Sequence, residues 1–198
     1  MLKIGITGGI GSGKTTACRL FEQLSVPVYY ADDRAKWIQN NDPNLILALK
    51  QLFGSDIYEN NVLDRTRLGK IVFSDKKMLD ALNAIVHPAV FKDAAEWQEM
   101  QQKAGAAYTL KEAALLFETG SYKTLDKIIV VSAPLELRIE RVMQRDNLSR
   151  EEVQKRINSQ MPQEEKEKLA DFVLNNLSLE ALEREVLTLH RLLIDKYC

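Results

Sequence analysis

The sequence is poor in sulfur and in histidine. Its 198 residues hold two cysteines, Cys18 and Cys198, near opposite ends, and neither belongs to a CxxC pair. That excludes a disulfide framework and a cysteine-built zinc site, and it points to a reducing compartment. The two histidines, His87 and His190, stand alone, and a solitary histidine is ordinarily structural. Charge of one sign is missing too. Lysine and arginine total 27 against 28 acids, a net charge of −1, so no global basic field draws the chain to nucleic acid. Any anion must be held by a local cluster. No apolar run reaches the length of a bilayer crossing. There is no internal repeat, low-complexity tract or oligomerisation repeat. The opening residues read as a structural unit, not a leader. The expectation is a soluble cytoplasmic protein, a monomer or weak homo-oligomer, with neither nucleic acid nor membrane as partner.

What the chain does have is concentrated between residues 4 and 24. Leu2 to Thr7 is strand-like. Ala17, Leu20, Phe21 and Leu24 then recur at helical spacing. Between them Gly8-Gly9-Ile10-Gly11-Ser12-Gly13-Lys14-Thr15 has the form of a P-loop, with Thr16 next in line. Glycines allow positive φ and remove the Cβ atoms that would block a phosphate. Successive main-chain N–H groups then form an anion nest at a helix N-terminus. Lys14 is placed to reach the β and γ phosphates, and the Thr15 hydroxyl to ligate Mg²⁺. A P-loop indicates a nucleotide without fixing the reaction.

Val26 to Tyr30 reads as a second strand, and Asp32-Asp33 follow where strand gives way to helix. In open parallel sheets ligands bind at the carboxyl ends of strands. An acid here suits a base for an acceptor hydroxyl, and equally a helix cap. Residues 43–103 carry four helical stripes, with Pro88 in His87-Pro88 marking a helix boundary. This block reads as an insertion that grips the acceptor. Tyr108 to Phe117 reads as a third strand, although Lys111-Glu112 fits it poorly. It leads to Glu118, a candidate for metal water or acceptor, or a solvated acid.

Lys127 to Ser132 is a continuously apolar strand, as expected of one covered on both faces. The helix that follows carries Arg138, Arg141 and Arg145 on one side, with no acid three or four residues away. Such a face suits an anion, because guanidinium forks match phosphate oxygens. An exposed or long-range-paired face is the alternative. Ser149 to Glu152 has the capping-box form and starts a further helix. Residues 138–160 thus read as helix, turn, helix: an arginine-bearing lid. A short strand, Phe172 to Leu174, and an amphipathic helix complete the chain.

The parts match phosphoryl transfer to a small acceptor. A GTP switch would need an Asn/Thr-Lys-x-Asp and an Asp-x-x-Gly element, and both are absent. Nearly end to end the chain resembles the dephospho-coenzyme A kinases. The resemblance rests on Thr7 to Lys14, Ala31-Asp32, His87-Pro88, Leu115-Leu116-Phe117-Glu118, Arg141 to Asp146, Gln160 and Asn176. It implies an α/β fold of the nucleoside-monophosphate-kinase type. A parallel five-stranded sheet would be flanked by helices in one domain. The nucleotide core would be residues 1–42 and 104–198, the acceptor insertion 43–103 and the lid 138–160. It implies ATP-dependent phosphorylation of the ribose 3′-hydroxyl of dephospho-CoA with Mg²⁺, the last step of coenzyme A synthesis. It makes Asp32 the base or hydroxyl-orienting group. Lys14 and Arg141 join Asp32 in catalysis, His87 and Glu118 go to the acceptor site, Arg141 and Arg145 lie over ATP, and Asn176 sits near the adenine. Three departures stand out. Tyr30 replaces an aspartate, Ala114 replaces the proline usual before Leu-Leu, and the glycine usual after the asparagine near 176 is missing.

Overall fold

The structure is a computed structural model that describes residues 1–197, apart from the side chain of Phe73; Cys198 lies outside the described residues. In chain order its elements are β1 (Leu2–Thr7), α1 (Lys14–Gln23), β2 (Val28–Tyr30), α2 (Ala31–Asn41) and α3 (Pro43–Phe53). Then come β3 (Tyr58–Glu59), β4 (Val62–Leu63), α4 (Arg65–Ser74), α5 (Lys76–Lys103) and β5 (Tyr108–Glu112). The chain ends with β6 (Lys127–Ser132), α6 (Leu135–Asp146), α7 (Arg150–Asn158), α8 (Gln163–Lys168), β7 (Phe172–Asn175) and α9 (Leu179–Tyr197). Two compact units result: residues 1–30 with 100–198, and residues 31–99.

The first unit is built on a five-stranded sheet of order β2-β5-β1-β6-β7, with every neighbouring pair parallel. The chain lays strands on one side of β1 first and then on the other. The carboxyl end of β1 is therefore where a doubly wound sheet leaves room for a ligand. Ile4, Ile6, Leu110, Ile129 and Val131 are fully buried in these strands. Ala17, Cys18 and Phe21 of α1 pack on them with Leu182, Val186 and Leu193 of α9. Each such side chain contributes about 1.5–3 kcal/mol relative to exposure. Burial pushes the Cys18 thiol well above its ordinary range, with the Glu112 carboxylate adding to the effect and Lys14 opposing it.

The third strand is shorter than its sequence suggests. β5 stops at Glu112, and the apolar run Ala113 to Phe117 forms turns, with Thr119 N donating to Leu115 O and Gly120 N to Phe117 O. Lys111 and Glu112, the two residues that looked out of place, belong to the strand and are buried. Pairing with both β1 and β2 fixes them there, overriding local composition. The turns are held by packing instead. A Cβ on Gly5 of β1 would meet Leu116, Leu125 and Ile128 at 2.7–2.9 Å, so the loop side chain of Leu116 occupies the room that Gly5 leaves.

The second unit has its own core of Ile38, Leu45, Leu49, Phe53, Ile57, Leu63, Leu68, Val72 and Val86. Asp42 caps α3 through Asn44 N and Leu45 N, and Pro43 occupies the first turn where its missing N–H costs nothing. Asn60 and Asn61 take φ of 50° and 64°, the left-handed pair that a two-residue hairpin demands, and join β3 to β4. Pro88 is not a helix boundary: α5 runs through it for 28 residues. A proline inside a helix costs about 3 kcal/mol. Leu82, Ile85 and Val86 before it, and Ala89 and Val90 after it, all pack on the same core and hold the helix together across the gap.

Candidate active site

β1 delivers the chain into the glycine-rich loop. Gly11 and Gly13 have φ of 79° and 93°, and at both the room for a Cβ is taken. At Gly11 the Arg138 carbonyl fills that space; at Gly13 the Asn176 amide does. Ser12 N donates to Gly9 O at 3.1 Å, closing the turn, and Lys14 Nζ reaches back to Gly8 O at 2.9 Å. Thr15 and Thr16 are exposed on the first turn of α1, whose N-cap is Gly13.

The sequence reading missed Glu112. It lies at the carboxyl end of β5, in register with Ile6 just before the loop, and is buried. The Glu112 carboxylate raises the pKa of the buried Cys18 thiol of α1, and Lys14 opposes it. An acid ending the strand beside the P-loop strand was a usable signal, but the misplaced strand end hid it. The Thr15 hydroxyl and the Glu112 carboxylate are hard oxygen donors of the kind Mg²⁺ takes.

Helices α6 and α7 pack around Ile139, Val142 and Val153, with Ile10 of the loop among them. Ser149 caps α7 in a full capping box with Glu152. The three arginines of α6 have different partners. Arg138 is buried, and its Nε donates to Ile10 O at 3.0 Å. Arg141 Nη2 lies 3.3 Å from Asn176 O and 3.4 Å from Asn176 Oδ1. Its Nη1 is buried and has no hydrogen-bond partner among the described residues. Arg145 forms a two-pronged pair with Asp146 at 2.7 and 3.0 Å, and Arg156 of α7 shares that carboxylate at 3.1 Å. Asp146 is the next residue, so helical spacing of three or four does not reveal the pair. Asn176 ties this side to the loop, donating from Nδ2 to Ser12 O at 2.8 Å.

Glu118 follows the turns after β5. Its Oε1 accepts from Lys166 Nζ at 2.9 Å and from Met161 N at 3.0 Å. Burial alone would raise its pKa; the hydrogen bonds from Lys166 and from main-chain amides outweigh that and hold the carboxyl below its ordinary range. Tyr30, standing where related patterns carry an acid, ends β2. Burial and a hydrogen bond to Glu22 keep its phenol protonated far into the alkaline range.

In the second unit Asp32 and Asp33 open α2, both exposed. Asp33 accepts from Lys36 Nζ at 2.7 Å, a solvated helix pair. His87 is half-buried on α5 and meets Phe91 edge-on, ring centroids 6.2 Å apart. Arg34 pairs with Asp93, Nε to Oδ2 3.0 Å, and lies 4.4 Å from the centroid of the Trp37 ring.

The sequence model of one protein family, described as CoaE, dephospho-CoA kinase, matches residues 2–181. The chain belongs to the dephospho-CoA kinase family. A dephospho-CoA kinase of Porphyromonas gingivalis is 43% identical over 81% of this chain and 78% of its own length. One of Bacteroides fragilis is 38% identical over 98% and 94%. Among solved structures, a Thermus thermophilus protein shares 42% identity at a TM-score of 0.84, over 97% of both chains. The dephospho-CoA kinase of Campylobacter jejuni shares 30% at 0.75, over 99% and 98%. Shikimate kinase of Aquifex aeolicus, at 17% identity and a TM-score of 0.52, shares the fold alone. The five-stranded parallel sheet flanked by helices, read from the sequence, is the sheet of this P-loop kinase family. No described helix is long and apolar enough to cross a membrane.

Proposed function

We propose that the chain transfers the γ-phosphoryl group of ATP to the ribose 3′-hydroxyl of dephospho-CoA, giving coenzyme A and ADP in the last step of coenzyme A synthesis. One observation carries this reading: the P-loop, with Lys14 over its own carbonyl, is tied through Asn176 to Arg141 of the lid. Phosphoryl transfer passes through a loose transition state, so catalysis is mainly positioning and charge neutralisation. The amides of the loop cradle the phosphates, and Lys14 and Arg141 neutralise the transferring oxygens. Arg145 supports the ATP side from its pair with Asp146, and Asn176 sets the adenine end. Mg²⁺, held by Thr15 and Glu112, would supply further charge neutralisation at the β and γ phosphates. Asp32 orients the acceptor hydroxyl and takes its proton. His87 and the second oxygen of Glu118 serve the acceptor. Residues 1–42 and 104–198 act as nucleotide core, 43–103 as acceptor insertion and 138–160 as lid. We assign the enzyme to the cytoplasm, where its ATP is made and its thiol stays reduced.

The direct test supplies Mg-ATP with dephospho-CoA, and in parallel with adenosine, AMP and shikimate, and measures product mass. The expected result is a gain of one phosphate on dephospho-CoA only; phosphate on a rival acceptor and none on dephospho-CoA would refute the substrate. Arg141→Ala is expected to lower kcat about 100-fold, the scale for losing one charge-stabilising donor. Lys92→Ala is the control, because its side chain is 78% exposed with Glu96 at 3.9 Å, and loss of so loose a surface pair leaves activity within about twofold. Equal small effects from both would remove Arg141 from the transfer step.

A further inference from the structure

Ile10 of the P-loop engages the segment that carries α6 and α7 by every group it owns. Its side chain packs in the lid cluster beside Ile139, Val142 and Val153. Its carbonyl accepts from Arg138 Nε at 3.0 Å. Its N–H donates to Gln160 Oε1 at 3.0 Å, and the neighbouring Gly9 N–H donates to Gln163 Oε1 at 2.8 Å. Gln160 stands just past the end of α7, and Gln163 opens α8. Two amides of the loop are thus held by side chains from the lid's own root. Beneath them is an open hollow of about 700 Å³, bordered by Leu135 and Arg138 of α6, Gln154 and Ile157 of α7, and Gln163 and Glu167 of α8. The hollow lies between α7 and α8, and Gln160 at the end of α7 is fastened to the loop.

We propose that Gln160 is a positioning residue that couples the state of the P-loop to the lid: an ordered loop presents the Ile10 N–H to Gln160, and that bond sets α7 in its working place. The idea rests on the kinase reading above, but it concerns the response to ATP alone. A loop ordered by bound phosphate holds the Ile10 peptide in one orientation. Gln160 and Arg138 then read the two peptide groups that flank the Ile10 Cα, one through its N–H and the other through its carbonyl, and the apolar contact of Ile10 carries the same constraint into the lid core. Truncating the acceptor breaks the link and leaves the remaining phosphate cradle, Gly11 to Thr15, intact.

The experiment measures amide hydrogen exchange across Arg150–Asn158 with and without a non-hydrolysable Mg-ATP analogue, together with kcat and the dissociation constant of the analogue. In the native protein the analogue is expected to slow exchange in α7 about fivefold, as closure of a low-stability element should. Gln160→Met, similar in length but without an acceptor, loses that protection and about tenfold in kcat, the order expected for a sub-ångström misplacement. Its analogue affinity stays within about threefold, because the cradle amides are untouched. Gln160→Glu, which keeps an acceptor oxygen, restores protection and most of the turnover. If Gln160→Met fails to fold, Gln163→Met is read in the same way. Full protection in the Met variant with near-normal kcat overturns the proposal, as does a Glu variant that behaves like Met. So does the absence of protection in the native protein. The exchange readout needs no acceptor. A protein that failed to phosphorylate dephospho-CoA, yet showed the coupling, would refute the proposed function and leave this inference standing.

Discussion

Asp32→Asn is expected to lower kcat by about a thousandfold, the middle of the range for a positioned proton acceptor, with ATP affinity unchanged. The amide keeps the volume and one acceptor oxygen. On the proposed mechanism it loses the charge that would orient the hydroxyl hydrogen and receive the proton. A loose transition state places the proton transfer late, so the loss reflects aim as much as basicity. Asp32 is exposed and outside the core, so the substitution should leave the melting temperature within a degree or so. Asp33→Asn, which removes only the solvated pair with Lys36, should stay within about twofold of native turnover. Initial rates at saturating dephospho-CoA, with titration of an ATP analogue, check both. Turnover near normal in Asp32→Asn takes that carboxylate out of the chemistry.

The second large effect is on stability. Lys166→Met should destabilise the protein by up to about 3 kcal/mol, because it removes a charged donor and leaves a main-chain acceptor unpaired, while solvent reaches the Glu118 left behind. Lys166 is fully buried and Glu118 is 24% exposed at the side chain, with 2.9 Å between them. The ammonium also donates to Ala114 O at 3.3 Å, which fastens the turn after β5 to α8. For a chain of this length that loss lowers the melting temperature by up to about 10 °C. Lys166→Met combined with Glu118→Gln should recover part of the loss, because no uncompensated charge is left behind. Additivity of the two single effects would mean that the pair has no mutual energy. The pH dependence follows from the lowered Glu118 pKa. A carboxyl held below its unfolded value adds stability above the unfolded pKa and loses it as pH falls through the folded one. The gap between native and Lys166→Met should therefore be constant at neutral pH and narrow on acidification below the ordinary glutamate range. Urea titrations at several pH values measure it.

Much of this was legible in the chain. The P-loop declares itself because phosphate binding needs glycine, lysine and a hydroxyl at fixed offsets, and Gly11 and Gly13 take the positive φ that this chemistry requires. The capping box at Ser149 is a local signal and marks the start of α7. Long-range pairing was not legible. Lys111 and Glu112 look unfit for a strand until both neighbours are known, and Glu112 was lost with the strand end. Pro88 signals a break that packing on both sides of it overrules. The arginine face of α6 looks uniform, whereas tertiary partners give Arg138 to the loop and Arg141 to Asn176, and the adjacent Asp146 takes Arg145. Gln160 and Gln163 carry no local pattern, because what they hold lies about 150 residues earlier in the chain.

Gly5 has one more implication. The turn after the third sheet strand contains Ala114, a residue with no rigidity of its own. The missing side chain of Gly5 opens a socket in the sheet, and Leu116 plugs it. The segment is thereby pinned from below, its path dictated by a peg in a hole. Enlarging Gly5 would evict the peg and slacken a segment that begins more than a hundred residues downstream.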